Sequence, residues 1–215
     1  MFQTISIVAI IVTFIGMTLN CIVRPCKECW GHPLKKSVHL LTLLFVEQKL
    51  SLAGALRKLV YLLALLCFVV LAVTGFYPTI ILGQHISGFL VVVHATFAPV
   101  FAICLAVLAV MWARNCRFTH GDWPWFERIV QRATLVKITG EEAQCESSCI
   151  GQKITFWLII FLALPLVLSI VLSMFPIFGT HWQELLLGIH RYTALVFALV
   201  AVVHIYLVIR TKMQE

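Results

Sequence analysis

Five continuously apolar stretches dominate this chain, at about residues 3–23, 59–82, 86–112, 154–178 and 185–209. Each is long enough for the roughly 20 residues that an α-helix needs to cross a hydrocarbon layer. None alternates as a half-buried strand does, and lipid offers exposed backbone no hydrogen-bond partner, so helices satisfy these stretches and barrel strands do not. Of the 215 residues 61% are hydrophobic and only 12% charged, with a mean hydropathy of +1.01. The expected class is all-α and integral to the membrane, because no water-soluble arrangement hides that much apolar surface. The first stretch has no positive amino-terminal region and no small-residue cleavage site, so it reads as a retained span and not as a signal peptide.

The basic residues then set a topology. Arg24, Lys27, Lys35, Lys36, Lys49, Arg57 and Lys58 follow span one, and Arg114, Arg117, Arg128, Arg132, Lys137 and Lys153 follow span three. With Arg210 and Lys212 at the tail, 15 of the 16 Lys and Arg fall on one face, which is expected to be cytoplasmic. The amino terminus is then outside and the carboxyl terminus inside, in a bacterial or archaeal cytoplasmic membrane. The formal charge of +7 therefore reflects topology and contact with lipid headgroups, and not a nucleic-acid partner. Residues 37–52, broken by His39, Glu47, Gln48 and Lys49, are expected to lie along the interface, and a short interfacial helix is expected over 124–136 of the polar loop 113–153.

Three histidines fall inside spans, where an ionisable side chain is costly and usually has a specific partner. His94 lies near the outer end of span three and His190 near the outer end of span five. Two neutral imidazoles from different helices at one depth are the ligand set of a bis-histidine haem b, whose apolar bulk fits between helices. His204 follows His190 by 14 residues, about 21 Å along a helix and only about 40° around it, so both share one face. It is a candidate for a second haem or for quinone. Any single one of these residues could instead hydrogen-bond a neighbouring helix. Arg191, the one basic residue on the outer side, can pair with a haem propionate.

Eight cysteines are many for such a chain. Cys26-x-x-Cys29 and Cys145-x-x-x-Cys149 occur on one expected face, so four thiolates could converge on zinc or an iron-sulfur centre. Reduced, unliganded thiols and a redox-active dithiol are the other readings.

The stretch from about 56 to 210 resembles the four-helix cytochrome b subunits of membrane formate dehydrogenases, the formate dehydrogenase gamma-subunit and nickel-iron hydrogenase b-type cytochrome family. The resemblance rests on His190 and His204 in LLLGIHRYTALVFALVAVVHIYLVI, on His94, on GFYPT at 75–79, and on Gly151-Gln152-Lys153 before Phe156-Trp157. It implies an integral membrane four-helix cytochrome b bundle at 56–215, with one additional amino-terminal transmembrane helix and a basic interfacial linker at 1–55. It also implies an outer haem on His94 and His190, a cytoplasmic-side haem on His204 and a further histidine, and a menaquinone or ubiquinone site near Gly151 and Gln152. The sequence departs from that pattern at Tyr61, which stands where the further histidine is expected; no histidine occurs between His39 and His85. Either His204 takes another ligand, such as His39, or it serves quinone. Cys149 likewise stands where such proteins tend to carry asparagine.

The expected function is a membrane cytochrome b subunit relaying electrons between the quinone pool and iron-sulfur, cytochrome or catalytic oxidoreductase subunits. Two alternatives are a thiol-quinone oxidoreductase using the cysteine pairs and a haem-free membrane anchor. No catalytic residues are expected on this chain, since its spans hold no nucleophile triad, phosphate loop or paired carboxylates.

Overall fold

A computed structural model describes residues 1–23, 52–119, 142–175 and 179–214. His39, Cys26, Cys29, the interfacial segment up to residue 51 and the expected helix at 124–136 lie outside the described residues. Five long helices make up the fold: α1 (Phe2–Val23), α2 (Leu52–Phe76), α3 (Phe89–Ala113), α4 (Glu142–Met174) and α5 (Thr180–Gln214). All five are long and apolar enough to cross a membrane, and no strand occurs among the described residues.

The helices are apolar on all sides, which is the pattern of a bundle solvated by lipid. Val110 is 81% exposed and Leu164 66% exposed; in water such surface would drive aggregation, whereas in hydrocarbon it carries no penalty. α2 and α3 form one antiparallel hairpin, α4 and α5 a second, and α1 lies along α5. Phe2 meets the Tyr192 ring edge-on at 5.2 Å. At the opposite end Tyr206 donates to Asn20 Oδ1 at 3.3 Å, and Arg210 also bonds Asn20.

The second and third spans are joined by a tight connection. Pro78 has no N–H to give to the carbonyl four residues back, and the chain widens into a π-helical turn over Tyr77–Ile81, ended by Leu82 N–H donating to Tyr77 O at 3.4 Å. Gly88 then begins α3 at φ +59°, a backbone conformation open to glycine and strained for other residues.

Across the middle of the bundle Phe68, Phe101 and Phe197 pack as a triangle of rings with centres 5.9–6.4 Å apart. Cys67 and Ala201 are buried beside them, so both mid-span hairpins contribute to one aromatic layer.

Three helices extend beyond the apolar stretches that announce them, α2 beginning at Leu52 and not near residue 59. α4 begins at Glu142, not near residue 154, and α5 continues to Gln214. Hydropathy marks only the part of a helix that lipid surrounds, whereas Glu, Ala, Gln and Lys propagate a helix into the headgroup layer equally well. Gly151, Gln152, Cys145 and Cys149 are therefore helical residues of α4, and the loop expected over 113–153 is shorter than its polar sequence indicates.

Candidate functional site

His94 on α3 and His190 on α5 come together across the bundle, with ring centres 6.5 Å apart and planes at 77°. Two imidazoles bound to one metal ion at about 2 Å each place their ring centres roughly 6 Å apart. The spacing is thus compatible with two ligands of one iron.

The hydrogen bonds on the far side of each ring fix its chemistry. His190 Nδ1 lies 3.0 Å from Leu166 O, a carbonyl that can only accept, so His190 carries its proton on Nδ1 and keeps Nε2 bare, the state an iron ligand requires. Thr74 Oγ1 lies 2.8 Å from Val70 O and 2.9 Å from His94 Nδ1; with its one proton given to Val70 O it accepts from Nδ1–H and leaves His94 in the same state. Gly75 makes room for this: a Cβ there would sit 3.3 Å from His94 Cε1, so any side chain would push the ring off its threonine.

Among the described residues no group of three or more His, Cys, Asp or Glu gathers to hold a bare metal ion. His94 and His190 would nevertheless be the complete protein contribution to a haem, which would supply one-electron chemistry there. The residues at this level fit haem b and do not fit a structural zinc.

His204 sits two helical turns beyond Phe197 and repeats the device. Thr155 Oγ1 lies 2.8 Å from Gly151 O and 2.8 Å from His204 Nδ1. His204 lines an open cavity between the two hairpins together with Tyr61, Phe68, Phe101, Trp112 and Phe156. Tyr61 packs against Trp112 with ring centres 5.9 Å apart, and its hydroxyl makes no hydrogen bond among the described residues. No second histidine reaches this level from the described residues.

The other expected site residues have local tasks. Gln152 gives its amide hydrogens to Leu207 O at 3.1 Å and Thr211 Oγ1 at 2.7 Å. Gly151 lets α5 approach so closely that a Cβ would stand 3.1 Å from Leu207 Cδ1; together they clamp α4 to α5. Trp157 Nε1 donates to Cys116 O at 3.0 Å, holding the end of α3 to α4. Arg191 bonds His85 in the connection between α2 and α3 and lies over the Phe2 ring, 5.9 Å from its centre. Thr74, Thr155 and Leu166 O are functional partners that the sequence alone does not single out. Thr74 directly precedes the GFYPT motif, but nothing local marks which spans its hydroxyl will meet.

No curated protein and no solved structure matches the chain. The family model described as prokaryotic cytochrome b561 matches residues 53–213, that is all of α3, α4 and nearly all of α2 and α5. With five helices apolar enough to span a membrane and this match over three quarters of its length, the chain belongs to the prokaryotic cytochrome b561 family, as a multi-pass membrane b-type cytochrome of electron transfer.

Proposed function

We propose that His94 and His190 are the axial ligands of one haem b and that the chain relays single electrons between membrane quinone and a partner oxidoreductase or cytochrome subunit. The observation that carries the reading is the 6.5 Å spacing of two imidazole rings whose Nδ1 atoms are both spoken for. Haem b bound there supplies reversible one-electron transfer. The chain's own residues do the rest: Thr74 and Leu166 O orient the two rings and raise the basicity of their Nε2 atoms. The apolar bundle excludes water, and Arg191, at the outer end with His85, offers a cation for a propionate.

Arg57, Lys58, Arg114, Arg117, Lys153 and Arg210 all lie at the end of the bundle opposite Arg191. By the positive-inside rule that end faces the cytoplasm, with the amino terminus outside. The His94/His190 level is then toward the outer surface, where a partner's redox centre would be served, and the His204 level toward the inner one.

Reduced-minus-oxidised spectra with haem quantitation test the assignment. His94→Ala and His190→Ala should each abolish the same b-type signal while the folded protein remains in the membrane. Retention of an unaltered signal in either variant refutes the ligand pair.

A further inference from the structure

Leu166 O, the carbonyl that holds His190, answers to a second side chain. Ser169 Oγ donates to it at 3.0 Å, the same distance at which His190 Nδ1 stands. Residue 166 lies inside α4, where a helical carbonyl also faces the N–H four residues on. Three donors therefore share an oxygen that has two lone pairs, and each holds it less firmly than it would alone. A hydroxyl in a helix ordinarily turns back to a carbonyl three or four residues earlier, as those of Ser6, Thr13 and Ser173 do. Among the described residues no histidine meets the carbonyls those three use, whereas Leu166 O is shared with an imidazole. Ser169 is 3% exposed, so neither water nor a headgroup draws its proton away.

We propose that Ser169 is a positioning residue that sets the potential of the haem held by His94 and His190, an inference that rests on that ligand reading. By occupying part of Leu166 O, Ser169 limits the electron density that the carbonyl passes to His190 through Nδ1–H. An imidazole whose Nδ1–H is strongly held is the more basic at Nε2, and a more basic ligand stabilises ferric iron, with its additional positive charge, over ferrous iron. The serine therefore keeps the potential above the value that Leu166 O, left to His190, would give. Hydrogen bonding behind an axial ligand is one of the levers by which a protein sets that value. The sign is fixed by the geometry, because a carbonyl can only accept and His190 Nδ1 can only donate to it. No proton or electron passes through Ser169; it acts on the equilibrium alone.

The test is an anaerobic redox titration of the reduced α band in the full-length, haem-supplied protein, with haem quantitation on each variant. Ser169→Ala should shift the equilibrium about twofold toward the ferric state, near the low end of a hydrogen bond's worth because the His190 bond is strengthened and not made anew. At about 59 mV per tenfold for one electron, that is a midpoint lower by about 18 mV. Ser169→Thr, which keeps the hydroxyl, should return the midpoint to the wild-type value. Ser173→Ala removes the same kind of bond one turn on, to Ile170 O at 2.8 Å, and should leave the midpoint where it was. Haem content should be unchanged in all three. A midpoint that stays or rises in Ser169→Ala overturns the proposal. So does loss of haem in that variant, an equal fall in Ser173→Ala, or a threonine variant that keeps the alanine value. The ligand reading is tested separately by His190→Ala: if that variant abolishes the signal while Ser169→Ala moves nothing, the proposal alone falls. If the wild type holds no b haem, or His190→Ala leaves its signal unaltered, both fall.

Discussion

Thr74→Val is the most informative single substitution, because it alters the outer site without touching a ligand. The side chain is 6% exposed, and valine keeps its shape while removing the oxygen that accepts from His94 Nδ1 at 2.9 Å. Two effects follow. The Nδ1–H loses its partner in a buried place, which costs about 1–3 kcal/mol; loss of such an outer hydrogen bond lowers metal-site affinity by about 10–100-fold. The second effect is differential. Imidazole on ferric iron is the more acidic donor, so the bond is worth about 1 kcal/mol more in the oxidised state, by the gap between charged and neutral hydrogen bonds. Its loss therefore raises the midpoint potential by about 40 mV, at about 59 mV per tenfold for one electron. Anaerobic redox titration of the α band measures this, with Thr74→Ser as the control that restores the oxygen. A potential that stays put or falls in Thr74→Val, at unchanged haem content, refutes the tautomer assignment at His94.

Three further outcomes can be checked alongside. Gly75→Ala places a Cβ 3.3 Å from His94 Cε1 and should lower haem occupancy several-fold, whereas Gly188→Ala, with nothing within 4 Å of its Cβ, should leave the spectrum unchanged. Gln152→Leu removes two hydrogen bonds from α4 to α5 while Leu207 O keeps the Thr211 hydroxyl at 3.1 Å, and should destabilise the bundle by about 1 kcal/mol, read as a lower Tm with the reduced spectrum preserved. At the end of α3, burial pushes the Cys116 thiol above its ordinary range while Lys153 partly offsets the shift. The thiolate fraction at neutral pH is therefore small; maleimide labelling of Cys116 should accelerate about tenfold per pH unit up to the raised value, and Lys153→Gln should slow it further.

Most of the fold is legible in the sequence, for a reason particular to membranes. Backbone hydrogen bonding in lipid leaves helices as the means of burying a 20-residue apolar stretch, so counting such stretches counts helices. The ends of α4 and α5 are not legible that way, since the Glu142–Lys153 turns are polar and their helicity is a matter of propensity and packing. The pairing of His94 with His190 follows from equal depth on antiparallel spans. The roles of Thr74 and Thr155 do not, because a threonine in a span ordinarily spends its hydroxyl on the carbonyl one turn back, and both of these do so as well. Only the tertiary placement shows that the same oxygen also meets a histidine on another helix. The role of Gln152 is hidden for a similar reason: beside a glycine and a lysine it reads as a ligand-facing loop, yet its partners lie 55 and 59 residues away on α5.

The two levels of the bundle share one arrangement. At each, a threonine that reaches a carbonyl of its own helix also stands within hydrogen-bond distance of an imidazole on another helix. At the first level a second imidazole, His190, is added from the facing helix and is held by Leu166 O. At the second the group that shares the cavity with His204 is Tyr61. Phe101 and Phe197 stand about two turns, or roughly 10 Å, along their helices from His94, His190 and His204, and with Phe68 they wall the His204 cavity. One aromatic layer therefore both closes that cavity and separates it from the His94/His190 pair.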